Sequence, residues 1–440
     1  MRWIWILFLP MIFIYNACKS PGSLNVHNNK SDTAFYMPAQ FEAQEAVWLG
    51  WQAHELYYPV NIAMIKALLP HVNVKLVAAS DSVSEVAKNE LKKAGINTSL
   101  MQFYTMPDNE FWMRDHGAAF VVNNVGEMKA VDFEWSMYGY RDWLLRLDND
   151  TAKADRFSRR MNNNKRGKVD SLMGAAEKVP VVKSWVVIEG GSIEVNGKGT
   201  LLLNEPLTLD RNKGASKDSI ANEFKRVLGV SNIVWLQHGL ADDPHIWQVI
   251  TGNYVGMGTG GHTDEYVKFA DANTVLLAWV PEEEKNLHPI NKINYERMLI
   301  NYEILKNAKD QDGKPFRIIK VPLPDPIVRK VALTPTMKWD ADYNIGLSVL
   351  PPSLGWKVGD SVNRVAAASY MNYYLTNGLV LLPDYSAEGE SNRRKQEEVR
   401  KIFGGVFPGR MLLFIDAMPL NWEGGGIHCG TQQQSKRKSR

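Results

Sequence analysis

Residues 261–279 read GHTDEYVKFADANTVLLAW. The tail of this stretch, TVLLAW, is a continuous apolar run that predicts a buried strand over 274–279. Its head sets a glycine, a histidine and two acids immediately before that apolar material. Polar residues at such a point, beside a glycine that lets the backbone turn or approach a ligand closely, mark a site rather than a surface loop. Three other segments are built the same way: NEFWMRDHGAAFVVN (109–123), VIEGGSIEVNGKGTLLLNE (187–205) and NWEGGGIHCGTQQQ (421–434).

Outward from these segments the pattern alternates. Strands are predicted over 74–78, 96–103, 118–123, 186–195, 200–203, 233–236, 379–383 and 411–415. Helices are predicted over 60–69, 219–228, 295–307 and 392–403. Ser82-Val83-Ser84-Glu85 has the form of a capping box, opening a helix that Gly95 would close. Alternation of this kind gives an α/β class. No repeat of clean period is visible and no Pro/Ser-rich linker divides the body, so one large domain is expected over 34–434. The polar stretch 141–178, rich in both charges, reads as an exposed and mobile excursion with helical character.

The chain has 440 residues, with 51 basic and 48 acidic side chains and a formal charge of +3. That balance gives no case for nucleic-acid binding. The terminal KRKSR holds four of the basic residues and reads as a frayed tail, 435–440. Two cysteines, Cys18 and Cys429, exclude a disulfide scaffold and a four-cysteine zinc module.

Residues 3–17, WIWILFLPMIFIYNA, form an apolar run behind Arg2. It is shorter than the roughly 20 residues a membrane span needs and reads as a signal peptide, 1–17. It ends in Tyr15-Asn16-Ala17-Cys18, similar to a bacterial lipoprotein box, with Tyr15 where leucine is usual. Cleavage before Cys18 and lipidation of its thiol are expected, with 18–33 as a polar tether. The protein would then be anchored to a membrane of the bacterial envelope, periplasmic or at the surface, or alternatively secreted.

Taken together, the four segments resemble those of agmatine deiminases and bacterial-type peptidylarginine deiminases, in the guanidine-modifying superfamily. MPAQFEAQEAVWLGW (37–51) and SYMNYYLTNGLVLLP (369–383) resemble the family as well, and the likeness runs over about 35–434. It implies a five-bladed pseudo-symmetric α/β propeller of ββαβ-type units with its site on the axis. It also implies Cys429 as a nucleophile forming a thiouronium intermediate, and His262 as general acid and then base. Glu189 would orient His262, and Asp115 and Asp264 would hold the guanidinium.

These residue types suit that chemistry. Carboxylates match a guanidinium through paired hydrogen bonds, a thiolate attacks well at modest basicity, and histidine can move a proton both ways. Trp112 is a candidate wall of the substrate slot. No cofactor and no metal is expected. Strand alternation would aim His428 away from Cys429 and bring His262 and Asp264 to one face. Neither Arg114 nor His116 receives a role.

The sequence departs from the family at Gly426 and Glu265, where asparagine is frequent, so a local hydrogen bond is expected to be missing beside the cysteine. The stretch 240–260 is long enough to reshape the pocket mouth. The leading reaction is agmatine to N-carbamoylputrescine and ammonia; the rival is the same deimination of peptidyl or free arginine. Arg141 and Arg211 are the candidate partners for an arginine carboxylate. A cysteine amide hydrolase would leave the paired acids without a task, and a non-catalytic envelope lipoprotein would leave all five polar positions without one. Related enzymes are often dimers, so the resemblance allows a homodimer.

Overall fold

The computed structural model describes residues 32–107, 111–163, 166–338 and 342–438. The signal segment, Cys18 and most of the tether lie outside the described residues. Within them one motif recurs five times: an inner strand, an antiparallel second strand, and a third strand parallel to the second. Parallel pairing demands a crossover connection, and here helices supply it.

In the first complete motif, Ala119–Val122 pairs with Met128–Glu134, which pairs with Val181–Val187. The next joins Glu194–Val195, Thr200–Asn204 and Asn232–Leu236. The third joins Val267–Phe269, Thr274–Trp279 and Arg317–Pro322. The fourth joins Tyr374–Thr376, Leu379–Pro383 and Met411–Ile415. The fifth is made from both ends of the described chain. Thr431–Ser435 pairs antiparallel with Gln44–Gly50, which continues in parallel to Asn73–Ala78 and Met101–Thr105.

These are the five ββαβ blades of a propeller, and the last strand shuts the ring onto the first. Crossover helices include Tyr58–Leu68, Val169–Ala176, Lys217–Leu228, Pro289–Asn307 and Glu390–Val406. Two of the second strands, TLLLN at 200–204 and LVLLP at 379–383, are buried along their whole length. Their continuous apolar runs fit strands covered on both faces.

A further sheet stands outside the blades. The hairpin His245–Thr251 and Tyr254–Thr259 leaves between the second and third complete blades. It joins Ser361–Val365, Val328–Thr334 and Ile345–Gly346 from the connection between the third and fourth.

Several expectations need correction. The strand predicted over 186–195 is broken: it stops at Val187, turns through Gly190–Ser192 and resumes at Glu194. A Cβ on Gly190 would come within 2.1 Å of the Arg114 carbonyl oxygen, so the chain there passes too close to a neighbour to run on as a strand. The strand predicted from 96 begins only at Met101, because Asn97 caps a short turn first. Ser80, not Ser82, caps the helix Asp81–Lys93, accepting from Val83 N–H, while Gly95 follows its end with φ of 77°. The polar excursion is helical over Tyr140–Asp148, Thr151–Asn163 and Val169–Ala176, but it is not simply exposed. Trp143, Leu144, Leu147, Val169 and Met173 are buried, and the Trp143 indole donates to the Trp247 carbonyl at 3.2 Å. The last strand ends at Ser435, one residue past the expected domain boundary.

One buried polar cluster welds the ring where it closes. Gln434, on the final strand, accepts from Trp48 Nε1 and Lys75 Nζ, each at 2.9 Å, and donates to Glu177 at 2.7 Å. Lys75 also pairs directly with Glu177, and both side chains are under a tenth exposed. Removing one member of a buried ion pair leaves the other charge without compensation. Lys75→Met should therefore destabilise the protein by about 3 kcal/mol in chemical unfolding. Lys75→Met with Glu177→Gln should recover more than half of that loss. Equal stability of the single variant and wild type would show that this cluster does not hold the closure.

Candidate active site

Each blade's inner strand is preceded by a tight turn, and the five turns converge. Met113–His116 carries Arg114 and Asp115. Glu189 caps the Gly190–Ser192 turn, and His262 caps the Thr263–Glu265 turn. The turn from Ser369 to Asn372 is closed by the Asn372 N–H on the Ser369 carbonyl. Cys429 sits in the turn closed by Gly430 N–H on the Ile427 carbonyl. The backbone N–H of Arg114 donates to the Cys429 carbonyl at 3.0 Å, tying the first turn to the last.

Asp115 accepts from Tyr138 Oη at 2.8 Å and from Gly191 N–H at 3.1 Å. Its Oδ1 lies 3.5 Å from His262 Nδ1. The other ring nitrogen, Nε2, lies 3.4 Å from Glu189 Oε2. Arg211 Nε in turn holds both Glu189 oxygens, at 2.9 and 3.2 Å. Asp264 Oδ2 accepts from His428 Nδ1 at 2.7 Å and stands 3.8 Å from the Cys429 sulfur.

Gly191 has no room for a side chain. A Cβ there would meet His262 Nδ1 at 2.6 Å and Asp115 Oδ1 at 2.9 Å. The five polar residues singled out from the sequence are thus brought together, but not by strand alternation. His262 caps a helical turn and Asp264 lies within it, and His428 faces the site through Asp264 rather than away from it.

Asn372 was missed. Its Nδ2 lies 3.1 Å from Cys429 Sγ and 2.6 Å from Glu265 Oε1, and its Oδ1 accepts from His428 N–H at 2.7 Å. A Cβ at Gly426 would come within 2.5 Å of that oxygen. The asparagine absent from position 426 is therefore replaced in space, and the expected gap beside the cysteine is filled. Asn372 lay inside the quoted segment 369–383, whose apolar strand drew attention from it. Glu265 points inward, 3.8 Å from the sulfur. Arg211 is locked on Glu189 and is not free to receive a carboxylate.

The electrostatics follow from burying these groups together. Burial alone would push His262 down, but Asp115, Glu189 and Asp264 overrule it and hold it at about 9. Glu189, despite burial, is held at about 2 by Arg211 and His262. Burial and the neighbouring Asp115 carry Asp264 up to about 7, even with His262 opposing. Burial, reinforced by Asp264, Glu265 and Asp115, pushes the Cys429 thiol well above its ordinary range. At neutral pH the site therefore pairs a charged imidazole with a protonated thiol among carboxylates. It is arranged to receive a cation. Donor atoms of Asp264, Glu265 and Cys429 lie within 4.8 Å of one another, the spacing of a cation pocket.

A cavity of about 390 Å³ leads to this centre. Cys429 and Asp115 form its floor, and Trp112, Tyr57, Tyr138 and Tyr140 its walls, with Ile246, Met257, Gly258 and Thr259 from the accessory hairpin at one side and Glu423 at another. The stretch 240–260 contributes Ile246, Met257, Gly258 and Thr259 to this cavity, and Trp112 is among its lining residues. A larger cavity of about 590 Å³ lies behind the loop at Met137 and Gly139 and takes in Arg141 and the back of Arg211. It lacks the thiol and Asp115, both of which line the smaller cavity, so the smaller cavity is the candidate reaction site. Met137, Tyr138 and Gly139 between them are all left-handed, with φ of 54°, 57° and 67°. For the first two that is strained backbone, held by His245 Nε2 donating to the Tyr138 carbonyl at 2.6 Å.

The chain is similar in sequence and fold to known proteins. The agmatine deiminase of Pseudomonas putida strain F1 is 27% identical over 416 residues, covering 91% of this chain and 95% of that protein. That of Stutzerimonas stutzeri is 27% identical over 420 residues, with the same coverage. The solved agmatine deiminase of Enterococcus faecalis superposes with a TM-score of 0.69 at 25% identity, covering 92% of this chain and 96% of that one. The fold of the Campylobacter jejuni agmatine deiminase is also similar, with a TM-score of 0.61 at 21% identity and coverage of 92% and 96%. The Porphyromonas-type peptidyl-arginine deiminase pattern matches without interruption from residue 36 to residue 435, and the chain belongs to that family.

Proposed function

We propose that the protein hydrolyses a guanidinium group, converting agmatine and water to N-carbamoylputrescine and ammonia. The observation that carries the choice of substrate is the cavity lining: among the described residues it holds aromatic side chains and acids around Cys429 but no lysine or arginine. An arginine carboxylate would find no cationic partner there. Arg211 is committed to Glu189, and Arg141 opens to the neighbouring cavity and pairs with Asp155. A substrate with a second cation in place of the carboxylate suits these walls, since aromatic faces attract cations. The names of the relatives point the same way.

In this reading the guanidinium enters between Asp115 and Asp264, which accept its N–H groups. Tyr138 Oη gives up its bond to Asp115 as it does so. The incoming positive charge draws down the thiol, whose proton is released to solvent as the substrate enters, and Asn372 Nδ2 donates to the resulting thiolate. Cys429 Sγ attacks the central carbon, forming a C–S bond. His262 Nδ1, which has no hydrogen-bond partner in the substrate-free protein, carries the proton to the departing nitrogen, and ammonia leaves. Neutral His262 then deprotonates water, which attacks the same carbon. The C–S bond breaks, the ureido product forms and the thiolate is restored. Glu189 keeps the ring aimed through Nε2 and favours its charged form. Delivery to the envelope through a lipidated Cys18 belongs to the same proposal; among the described residues no helix is long and apolar enough to cross a membrane.

Incubation with agmatine, free arginine and an arginine-terminated peptide should give ureido product and ammonia, with agmatine turned over at the highest kcat/KM. Cys429→Ala should lower kcat by more than about 10³-fold. No turnover of any of the three by wild type would sink the proposal.

The pH profile has a sign fixed by two groups. Asp264 must be ionised to clamp, so kcat/KM should fall below about pH 7. His262 must be protonated to donate, so kcat/KM should fall above about pH 9. A profile flat between pH 6 and 10 would contradict the assignment. Separately, Cys18→Ser should release the protein from the membrane fraction of cells expressing the full chain.

A further inference from the structure

Among the described residues, Asp115 and Glu423 are the two acids that line this cavity. Asp115 serves the guanidinium. Glu423 has no task in the chemistry, yet it lies on the same Gly-rich run as Cys429 and is only 8% exposed. One of its oxygens, Oε1, accepts from Arg364 Nη2 at 3.2 Å. The other, Oε2, is buried with no hydrogen-bond partner. An unpartnered buried carboxylate oxygen is costly and is rarely left so without a purpose.

Arg364 does not depend on Glu423 for its position. Its guanidinium also donates to the carbonyls of Tyr343 and Trp422 and lies 4.9 Å from the Trp247 ring. Part of its charge is thus spread over carbonyl dipoles and an aromatic face, and Glu423 keeps an acceptor to spare. The backbone between Glu423 and the nucleophile is equally constrained. A Cβ at Gly424 would meet the Met257 carbonyl at 2.9 Å, and one at Gly425 would meet Trp112 at 2.6 Å. Glu423 therefore lines the same cavity as Trp112 and Cys429, on a backbone that passes closely between Met257 and Trp112.

We infer that Glu423 is the residue that selects a second cation on the substrate, its free Oε2 receiving the terminal ammonium while Asp115 and Asp264 hold the guanidinium. The inference rests on the deimination proposed above and names the residue that makes the site prefer a dication over other guanidines. Burial pushes the Glu423 carboxyl up to about 7 in the empty site, against the pull of Arg364. It is therefore ionised at pH 8, where His262 still carries its proton.

The test is kcat/KM at pH 8 for agmatine, for butylguanidine, which lacks the terminal amine, and for 4-guanidinobutyrate, which replaces it with a carboxylate. Wild type should favour them in that order, with agmatine at least tenfold above butylguanidine. Glu423→Gln keeps an acceptor for Arg364 and removes the charge. It should cut the agmatine-to-butylguanidine ratio at least tenfold, mainly through KM, with Glu423→Asp in between. A Glu423→Gln variant that loses both activities in proportion, keeping the ratio, would overturn the inference and leave Glu423 a partner of Arg364 only. So would a wild-type enzyme that handles agmatine and butylguanidine alike, a measurement independent of how any variant folds. Turnover of neither compound by wild type would overturn the deimination proposal and this inference with it.

Discussion

Carboxylates buried together around one thiol are the constraint on which the rest of the structure depends. Asp115, Glu189, Asp264 and Glu265 are all almost wholly removed from water, and each is costly there unless a positive charge or donor answers it. Arg211 answers Glu189, and His262 answers Asp115 and Glu189 together. Asp264 and Glu265 are answered only in part, by His428 and Asn372. Burial and their acidic neighbours therefore push both carboxyls up, Asp264 to about 7. Five turns from five blades must arrive within a few ångströms of one another, and a closed ring of strands holds them there. The propeller serves here as a vessel for buried acids.

That view explains the refinements around the centre. Asp243 accepts from the N–H groups of Thr259 and Gly261, fixing the approach to His262. Gly190 and Gly191 bring backbone where side chains would collide. The strained Met137–Gly139 loop presents the Tyr138 hydroxyl to Asp115, giving the clamp a neutral donor while no substrate is bound. Each device lowers the cost of an empty site without supplying the cation that would fill it.

Much of this was legible in the sequence, but unevenly. The four Gly-marked segments pointed to Cys429, His262, Asp115, Asp264 and Glu189, because acids and glycines interrupting apolar strands are rare without a reason. The alternation of strands and helices gave the class. The fivefold repeat was not visible, since its crossovers differ: one is the single helix Glu390–Val406, while another runs through three helices from Tyr140 to Ala176. His428 was misplaced because strand alternation was assumed where the chain turns. Asn372 and Glu423 carry no local signal of their function. Their roles arise from contacts across the ring, which spacing along the chain does not encode. The net charge of +3 concealed the site entirely, as a few inward-facing acids vanish in a whole-chain balance.

The closing strand Thr431–Ser435 has a consequence in time. It carries Gln434 into the ring's weld, and Cys429 stands just ahead of it. Its partner, Gln44–Gly50, is remote in sequence, and such non-local pairing must meet the entropy of closing a long loop before its contacts reward it. Completion of the ring and assembly of the turn that holds Cys429 are therefore linked. The pocket around that thiol is finished only when these two distant segments have met.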